Sequence, residues 1–241
     1  MYMQRIIALL VVFAFGIVAH AQISQGTIVY ERKFDIARHV QDEQLRHLLP
    51  AWQTSSYQMI FKDNTSIYLP LPPDEAPDPF ATPAQKMMVF AGNVEEGAVY
   101  CDFHTNRQLT EAKIAEKKYI IVDTLRPVMW RLEDSTKIIL KHICKKAVMG
   151  KGDSTRTIVW YATDIPTPLS PFFFGGALPG AILQLNMNNG DIILTATSIS
   201  PKVDSKLLKA PVDGELISRM DYNAKMKVAM PNQVEIKKTI L

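Results

Sequence analysis

Two pairs of metal-ligating residue types stand out in the sequence, Cys101-x-x-His104 and His142-x-Cys144. Together they could supply the four ligands of a tetrahedral zinc site. Their spacing matches no common zinc motif, and any strand with polar residues on one face also gives His-x-Cys. The chain has 2 cysteines, so a disulfide between Cys101 and Cys144, two free thiols and, as the weakest alternative, a metal site all stay open. We predict no metal and no cofactor.

The sequence contains no recognisable catalytic pattern. There is no His-Glu-x-x-His and no Gly-x-Ser-x-Gly motif. The glycine-rich run at 175–180 contains Pro179, which removes a backbone donor where a bound phosphate would need one. The methionines lack the repeated spacing of copper sites and are typical of flexible core residues. We therefore assign no catalytic residues and predict that the chain is not an enzyme.

Charge is nearly balanced along the chain. Lys and Arg number 27 against 24 Asp and Glu, which gives a formal net charge of +3. A nucleic-acid binder is expected to concentrate basic residues on one face. The densest basic segment, 141–146, is interrupted by His142, Ile143 and Cys144, and this pattern favours a strand with one solvated face. We predict no nucleic-acid partner.

The N-terminus has the three parts of a secretory signal peptide. Arg5 is followed by 14 residues without a charge, from Ile6 to Ala19, and then by the small-x-small sequence Ala19-His20-Ala21. Fourteen apolar residues are too few to cross a bilayer, which takes about 20. We expect cleavage near Ala21, a mature chain without a transmembrane span, and a periplasmic or extracellular location.

The mature chain alternates between apolar and polar residues over most of its length, as antiparallel strands do. One amphipathic helix is expected early, from Val40 to Trp52, with its end near Pro50. The fold predicted is mainly β, a large, strongly curved antiparallel sheet or partly open barrel with this helix against it. The expected strands cover 26–34, 55–61, 66–69, 87–91, 97–103, 118–122, 128–132, 138–147, 155–162, 181–187 and 191–198.

Turn residues divide these strands. Lys62-Asp63-Asn64-Thr65 and Asn188-Asn189-Gly190 are hairpin signals, because Asn, Asp and Gly tolerate positive φ angles. Glu133-Asp134-Ser135 is expected to be a turn. Residues 70–83 contain six prolines and are expected to form a surface loop inside a single domain over 22–241. Beyond Ala224 we expect a last strand or a loosely docked tail.

One stretch of the sequence resembles a known family. Trp160-Tyr161 is followed by Phe172-Phe173-Phe174 and then by Ala177-Leu178-Pro179-Gly180-Ala181-Ile182. This order resembles the GLPGLI family of exported proteins from Bacteroidetes-type bacteria, with ALPGAI in place of the family signature. Residues 57–61, with Ser66 and Tyr68, resemble the family's early hairpin. The resemblance implies export and no established activity, and it supplies no catalytic residues.

The motif itself suggests a local structure. Leu178-Pro179-Gly180 is expected to turn tightly into the next strand, with Pro fixing φ and Gly permitting an unusual one. The motif candidates for a binding groove are Trp160, Tyr161, Phe172, Phe174, Leu178, Pro179 and Gly180. They serve either as an aromatic folding element or as the lining of a groove for an apolar or peptide ligand.

Three functions follow from these observations. The first is an exported non-enzymatic binding module of the bacterial envelope, which holds an apolar ligand or a partner segment. It requires an open apolar concavity if the ligand is small. The second is a structural or assembly factor for an envelope protein, which requires an unprotected edge strand or an exposed apolar patch. The third is a hydrolase, for which the sequence names no residue.

Overall fold

A computed structural model describes residues 22–40, 42–48, 50–72, 97–125, 128–150, 156–171 and 178–229. The expected signal peptide, most of the proline-rich loop and the strand expected over 87–91 lie outside these residues. The part of the chain that is described is mainly β, as predicted.

The described residues form twelve strands and two helices. In chain order these are β1 (Gln25–Asp35), α1 (Glu43–Leu48), β2 (Trp52–Lys62), β3 (Thr65–Pro70), β4 (Val99–Asp102), β5 (Arg107–Ile114), β6 (Lys117–Thr124), β7 (Arg131–Ile139), β8 (His142–Met149), β9 (Thr157–Ala162), β10 (Ala181–Met187), β11 (Ile192–Ser200), β12 (Glu215–Ser218) and α2 (Arg219–Ala229).

All twelve strands belong to one sheet, in the order β12-β6-β5-β4-β3-β2-β1-β11-β10-β9-β8-β7. Neighbouring strands are antiparallel except β12 and β6, which are parallel. The sheet is therefore mixed. The prediction of a purely antiparallel sheet is therefore wrong at β12, and the sheet does not close into a barrel but leaves β12 and β7 as its two edges within the described chain.

One side of the sheet, called here the inner face, carries most of the core. Ile28 and Tyr30 on β1 lie opposite Met59 and Tyr57 on β2, and Tyr30 is fully buried. Its hydroxyl donates a hydrogen bond of 2.8 Å to the carbonyl of Ile182 on β10, two strands away. This bond satisfies a polar atom that burial would otherwise leave unpaired.

The helix that packs on the sheet is at the C-terminal end, so the prediction of one early helix against the sheet is wrong. α1 has six residues, and Trp52 begins β2 and takes no part in it. α2 follows β12 directly and buries Tyr222 and Met226, which are four residues apart and so lie on one helix face. Ala224 lies in α2, which excludes a strand there.

The hairpin turns were predicted with mixed success. The turns at Asp63 and at Asn188-Asn189-Gly190 are confirmed, and their residues have positive φ. The turn predicted at 133–135 is wrong: these residues lie inside β7, where the register with β8 shifts. The chain reverses instead at Leu140-Lys141, inside the single strand predicted over 138–147.

Candidate functional site

The β7–β8 hairpin forms one edge of the sheet. β7 has nine residues and pairs with β8 only, so its outer side has no strand partner within the described residues. Seven of its nine residues are exposed. An edge strand of this length presents a row of backbone donors and acceptors that a second extended chain can pair with.

The turn geometry determines which backbone groups point outward. Ile139 pairs with His142 across the two turn residues Leu140 and Lys141, whose φ angles are 49° and 72°. In such a two-residue hairpin the flanking pair exchanges both hydrogen bonds. Hydrogen-bonded and non-hydrogen-bonded pairs alternate along an antiparallel ladder. The next pair, Ile138 and Ile143, is therefore not hydrogen-bonded, and the N–H and C=O of Ile138 point away from β8.

The same residues carry exposed apolar side chains. Ile138 and Ile143 are direct cross-strand partners on one side of the hairpin. They are 72% and 62% exposed, and Leu132 near the start of β7 is 60% exposed. Side chains of this size are normally covered when they occur as neighbours. The outward backbone and the apolar side chains therefore form one surface, the β7 edge surface, defined by Leu132, Thr136, Ile138 and Ile143.

Two lysines border this surface. Lys145 is the register partner of Thr136, and Lys141 lies in the turn. Both residues are exposed, and neither forms an ion pair within the described residues. The acidic residue Glu133, by contrast, is bound by Lys146 and Arg131 at 2.8 and 2.9 Å, and these contacts lower its pKa. The border is therefore basic, with the exposed Asp134 at its far end.

The opposite side of the hairpin is tied to the body of the protein. Ile139 and Cys144 are buried there, and His142 Nδ1 forms a 2.6 Å hydrogen bond with Asp164 Oδ2. Lys137 donates to Gln184 Oε1 at 2.7 Å, and its ammonium lies 5.8 Å from the ring centre of Trp160. The edge strand is thus held in a defined position before any partner binds.

The aromatic residues of the sequence motif do not all share a surface. Trp160 and Tyr161 are neighbours on β9, so their side chains lie on opposite sides of the strand. Tyr161 is buried in the core, and burial raises the pKa of its hydroxyl. Leu178 is buried and Pro179 is exposed. Phe172 and Phe174 lie outside the described residues.

Gly180 has a different role from the one predicted. Its φ is not in the left-handed region, so the expectation of an unusual backbone angle is wrong. The reason for glycine is space: a Cβ at this position would lie 2.1 Å from the carbonyl oxygen of Ala162. The Gly180 N–H donates to the carbonyl of Leu178 at 2.9 Å, which makes the expected tight turn around Pro179.

Both cysteines are free and buried in the structure. Cys101 is on β4 and Cys144 on β8, and six strands lie between these two in the sheet order. Burial raises the pKa of Cys101 to about 12 and that of Cys144 to about 11. Thiols of such high pKa are poor nucleophiles and poor metal ligands near neutral pH. No group of three ligating side chains suited to a metal ion occurs among the described residues.

A second histidine–carboxylate pair lies near the β10–β11 turn. His39 Nε2 is 2.6 Å from Asp191 Oδ1, and its ring stacks on Phe34 with the ring centres 4.8 Å apart. Arg38 donates to the carbonyls of Asn188 and Asn189 at 2.9 Å each. The pair has no nucleophile beside it in these contacts, and its bonds fasten the segment after β1 to the turn.

Comparison with known proteins shows similarity in fold only. No protein-family model and no curated protein matches the chain. Two structures of PNGF-II, in space groups P21 and C2, match with TM-scores of 0.52 and 0.54 at 16% and 15% identity. The matches cover 84% and 83% of this chain but 33% and 32% of PNGF-II. The chain therefore spans about a third of the length of that protein.

A third structure is more distant. An uncharacterized conserved protein from Thermus thermophilus matches with a TM-score of 0.42 and 7% identity, over 82% of this chain and 91% of that one. A score of this size supports no conclusion. In the described part of the chain, neither helix has the length and apolar character needed to cross a bilayer.

The residues of the β7 edge surface were not identified from the sequence. The signal available was the run Ile138-Ile139-Leu140 next to Ile143, which an all-buried strand also explains. Its exposure depends on the position of β7 at the end of the strand order, and no local pattern encodes that position.

Proposed function

We propose that the chain is an exported, non-enzymatic binding module of the bacterial envelope that holds an extended segment of a partner protein along β7. The observation that carries the proposal is the coincidence of outward backbone groups and exposed apolar side chains at Ile138 and its neighbours. Addition of a strand to an exposed sheet edge is a common mode of peptide recognition. Main-chain hydrogen bonds supply affinity in this mode, and alternate side chains supply specificity.

The register shift inside β7 limits the length of the binding segment. Between Glu133 and Thr136 the pairing with β8 is irregular. A bulge of this kind bends a strand and interrupts regular pairing. A partner would therefore pair with Thr136 to Ile139 and contact Leu132 beyond the bulge with a side chain. Regular pairing over so short a stretch fits a transient or linear-motif interaction.

The alternative of an apolar carrier has less support. The inner face is occupied by large side chains that are fully buried, among them Tyr30, Phe61 and Leu185. Tyr30 also packs edge-on against Tyr68, with ring centres 6.3 Å apart, although their strands are separated by β2. We infer that the sheet curves towards this face and that its own side chains fill the concavity there. A carrier would need that space to be open.

Export and family membership remain part of the proposal. The segment 1–21 has the composition of a signal peptide, and the motif at 177–182 resembles the GLPGLI signature. The two buried thiols are compatible with an oxidising compartment, because burial and separation keep them from pairing.

A photo-crosslinking experiment in the native envelope tests the proposal. A photoreactive residue placed at Ile143 reports on the space beside Ile138 without disturbing the β7 backbone. We expect a discrete adduct whose crosslinked peptide comes from an extended segment of one partner. Replacing Ile138 by proline removes the outward N–H and should abolish that adduct, whereas Ile138→Val should retain it.

The control is a photoreactive residue at Val212, which is also exposed but lies before β12 at the opposite edge. It should give no adduct with the same partner. An adduct at Ile143 that persists in the Ile138→Pro protein, or no adduct at all, would show that β7 does not bind a partner strand.

A further inference from the structure

We infer that the segment bound along β7 is acidic at both flanks of a central apolar residue, in the pattern acid-x-apolar-x-acid. This inference rests on the proposed pairing of a partner strand with β7 and adds the chemistry of the partner. It comes from three observations on the exposed side of the hairpin: an apolar row, a small residue beside it, and two lysines without ion-pair partners among the described residues.

The apolar position follows from the register. Ile143 and Ile138 lie side by side on adjacent strands. A strand added outside β7 would place one residue directly beside Ile138, about 5 Å further along the same row. Because both isoleucines are more than half exposed, an apolar side chain there would remove the largest exposed apolar area of the hairpin from water.

The first acidic position follows from Lys145. Its register partner on β7 is Thr136, two residues before Ile138 and on the same side of the strand. The partner residue opposite Thr136 is separated from Lys145 only by this short side chain, so a glutamate there can reach across to the ammonium. The position lies two residues from the apolar one, which places both on one face of the added strand.

The second acidic position follows from Lys141. This residue lies in the turn, on the side of Ile138 away from Thr136 along the hairpin, and it is exposed. An acidic residue two positions from the apolar one, on the side opposite to the first, approaches this ammonium. The pattern is symmetric about its centre, so it holds for a parallel and for an antiparallel partner.

A second copy of the chain is the competing occupant. Two β7 strands related by a two-fold axis would bring their own lysines close together around a regular stretch of only Thr136 to Ile139. Stable interfaces bury about 1,200 Å² or more, and so short a pairing with like charges beside it is a poor basis for a dimer. The basic border favours an acidic segment from another protein.

Synthetic peptides test this inference with the full mature chain. The probe is a labelled peptide of sequence Thr-Glu-Thr-Ile-Thr-Glu-Thr with blocked termini, in which threonine supports the extended form. The comparison peptides replace both glutamates with threonine or with lysine. By fluorescence anisotropy at low salt we expect the acidic peptide to bind about 10-fold more tightly than the lysine peptide, with the difference shrinking at high salt.

Charge reversal on the protein should invert this order. The Lys141→Glu, Lys145→Glu protein should prefer the lysine peptide, because the attraction and the repulsion exchange places. The control is Lys206→Glu, Lys209→Glu, which changes net charge equally at two exposed residues outside the hairpin. It should keep the wild-type order.

Two further reagents separate this inference from the proposed function. An acidic peptide with N-methyl groups on its isoleucine and on both adjacent threonines loses the backbone donors that antiparallel or parallel pairing with Ile138 would use but keeps every side chain, and it should bind at least about 10-fold more weakly. Ile138→Pro should have the same effect on the unmodified peptide, and circular dichroism checks its fold.

The outcomes are distinct. If the three peptides bind equally and the N-methyl groups abolish binding, edge pairing stands and the acidic pattern is wrong. If no peptide binds, or if the N-methyl peptide binds as well as the unmodified one, the pairing itself is wrong and both proposals fail. A concentration-dependent dimer that Ile138→Pro dissolves would identify a second copy as the occupant and overturn the acidic partner.

Discussion

Gly180 shows how closely two backbone segments can approach in this fold. Its Cα lies against the end of β9, so a methyl group there would meet the carbonyl oxygen and carbon of Ala162 at 2.1 and 2.8 Å. Both are backbone atoms and cannot rotate away. The neighbouring amides of Ala181 and Ile182 donate to the carbonyls of Ile165 and Leu169 at 3.0 and 2.9 Å. These bonds hold the approach in place.

Gly180→Ala should therefore be among the most destabilising single-methyl additions in the chain. We expect a loss of about 1–3 kcal/mol in the free energy of unfolding, the range for overpacking a well-packed core. Chemical denaturation of the purified protein measures it. Pro179→Ala is the control, because Pro179 is exposed, and it should cost only about 0.5 kcal/mol. A loss below about 0.5 kcal/mol in Gly180→Ala would contradict the steric argument.

At the scale of elements, the β7–β8 turn is the least favourable of the hairpin turns. Leu140 and Lys141 both have positive φ, although residues with side chains of this size rarely adopt that region. The turn at Asn188-Asn189-Gly190 uses the same region with residues that tolerate it. This strained turn lies next to the surface proposed to bind a partner.

Leu140→Asn tests this strain. Asparagine tolerates the left-handed backbone, so we expect the substitution to stabilise the fold by about 1 kcal/mol and to raise the Tm. Thermal unfolding measured by circular dichroism gives the result. The matched control is Ile143→Asn, which makes a similar polar replacement at an exposed strand position without positive φ and should not stabilise. Equal effects of the two substitutions would contradict the assignment of strain to Leu140.

The turns show how much of the fold could be predicted from the sequence. Asn188-Asn189-Gly190 was predictable because its residue types favour positive φ by themselves. Glu133-Asp134-Ser135 has the composition of a turn, but these residues lie within β7, where they form a register shift in its pairing with β8. The real turn lies in an apolar run, since pairing of the two strands outweighs the local cost at Leu140 and Lys141.

Three other elements could not be predicted from the sequence for related reasons. β5 carries polar residues on both sides, with Gln108 and Thr110 on the side opposite its charged residues, and it lacks a clear apolar–polar alternation. β12 has only four residues and is held by parallel pairing with β6, which is distant in sequence. α2 buries two residues, too few for a clear helical pattern. The candidate site depends on strand order, and strand order is a property of the whole sheet.

At the scale of the molecule, the second edge of the sheet is shorter than the first, and a very short edge strand offers little backbone for a partner to pair with. β12 is short, and α2 follows it immediately with Ser218 as its cap, which accepts a hydrogen bond from the Asp221 N–H at 3.1 Å. Arg219 contacts Asp123 at 3.3 Å, and Tyr222 donates to the carbonyl of Lys113 at 3.2 Å. The difference between the two edges supports β7 as the one available for a partner.

Docking of β12 should depend on pH through its ion pairs. Lys117 binds Glu215, and Lys118 binds Asp213. The pKa of Glu215 is lowered by Lys117, and the pKa values of both lysines are raised by their acidic partners. The contribution of Glu215 to the docking of β12 is therefore fully present above the ordinary carboxyl pKa, and it is lost as the pH falls through the lowered pKa. The contribution of the lysines is present below the ordinary lysine pKa and is lost as pH rises through the raised ones.

The resulting window runs from about pH 5 to about pH 10. Within it, we expect constant protection of the amides of Leu216 to Ser218 against hydrogen exchange, after correction for the intrinsic exchange rate. Below about pH 4 this protection should fall while that of β1 and β2 stays unchanged, because the pairs are exposed and their effect is local. Glu215→Gln should already show the reduced protection at neutral pH and should lose little more in acid. If the wild-type protein and the Glu215→Gln protein lose protection equally as the pH falls, the Lys117–Glu215 pair does not hold this edge.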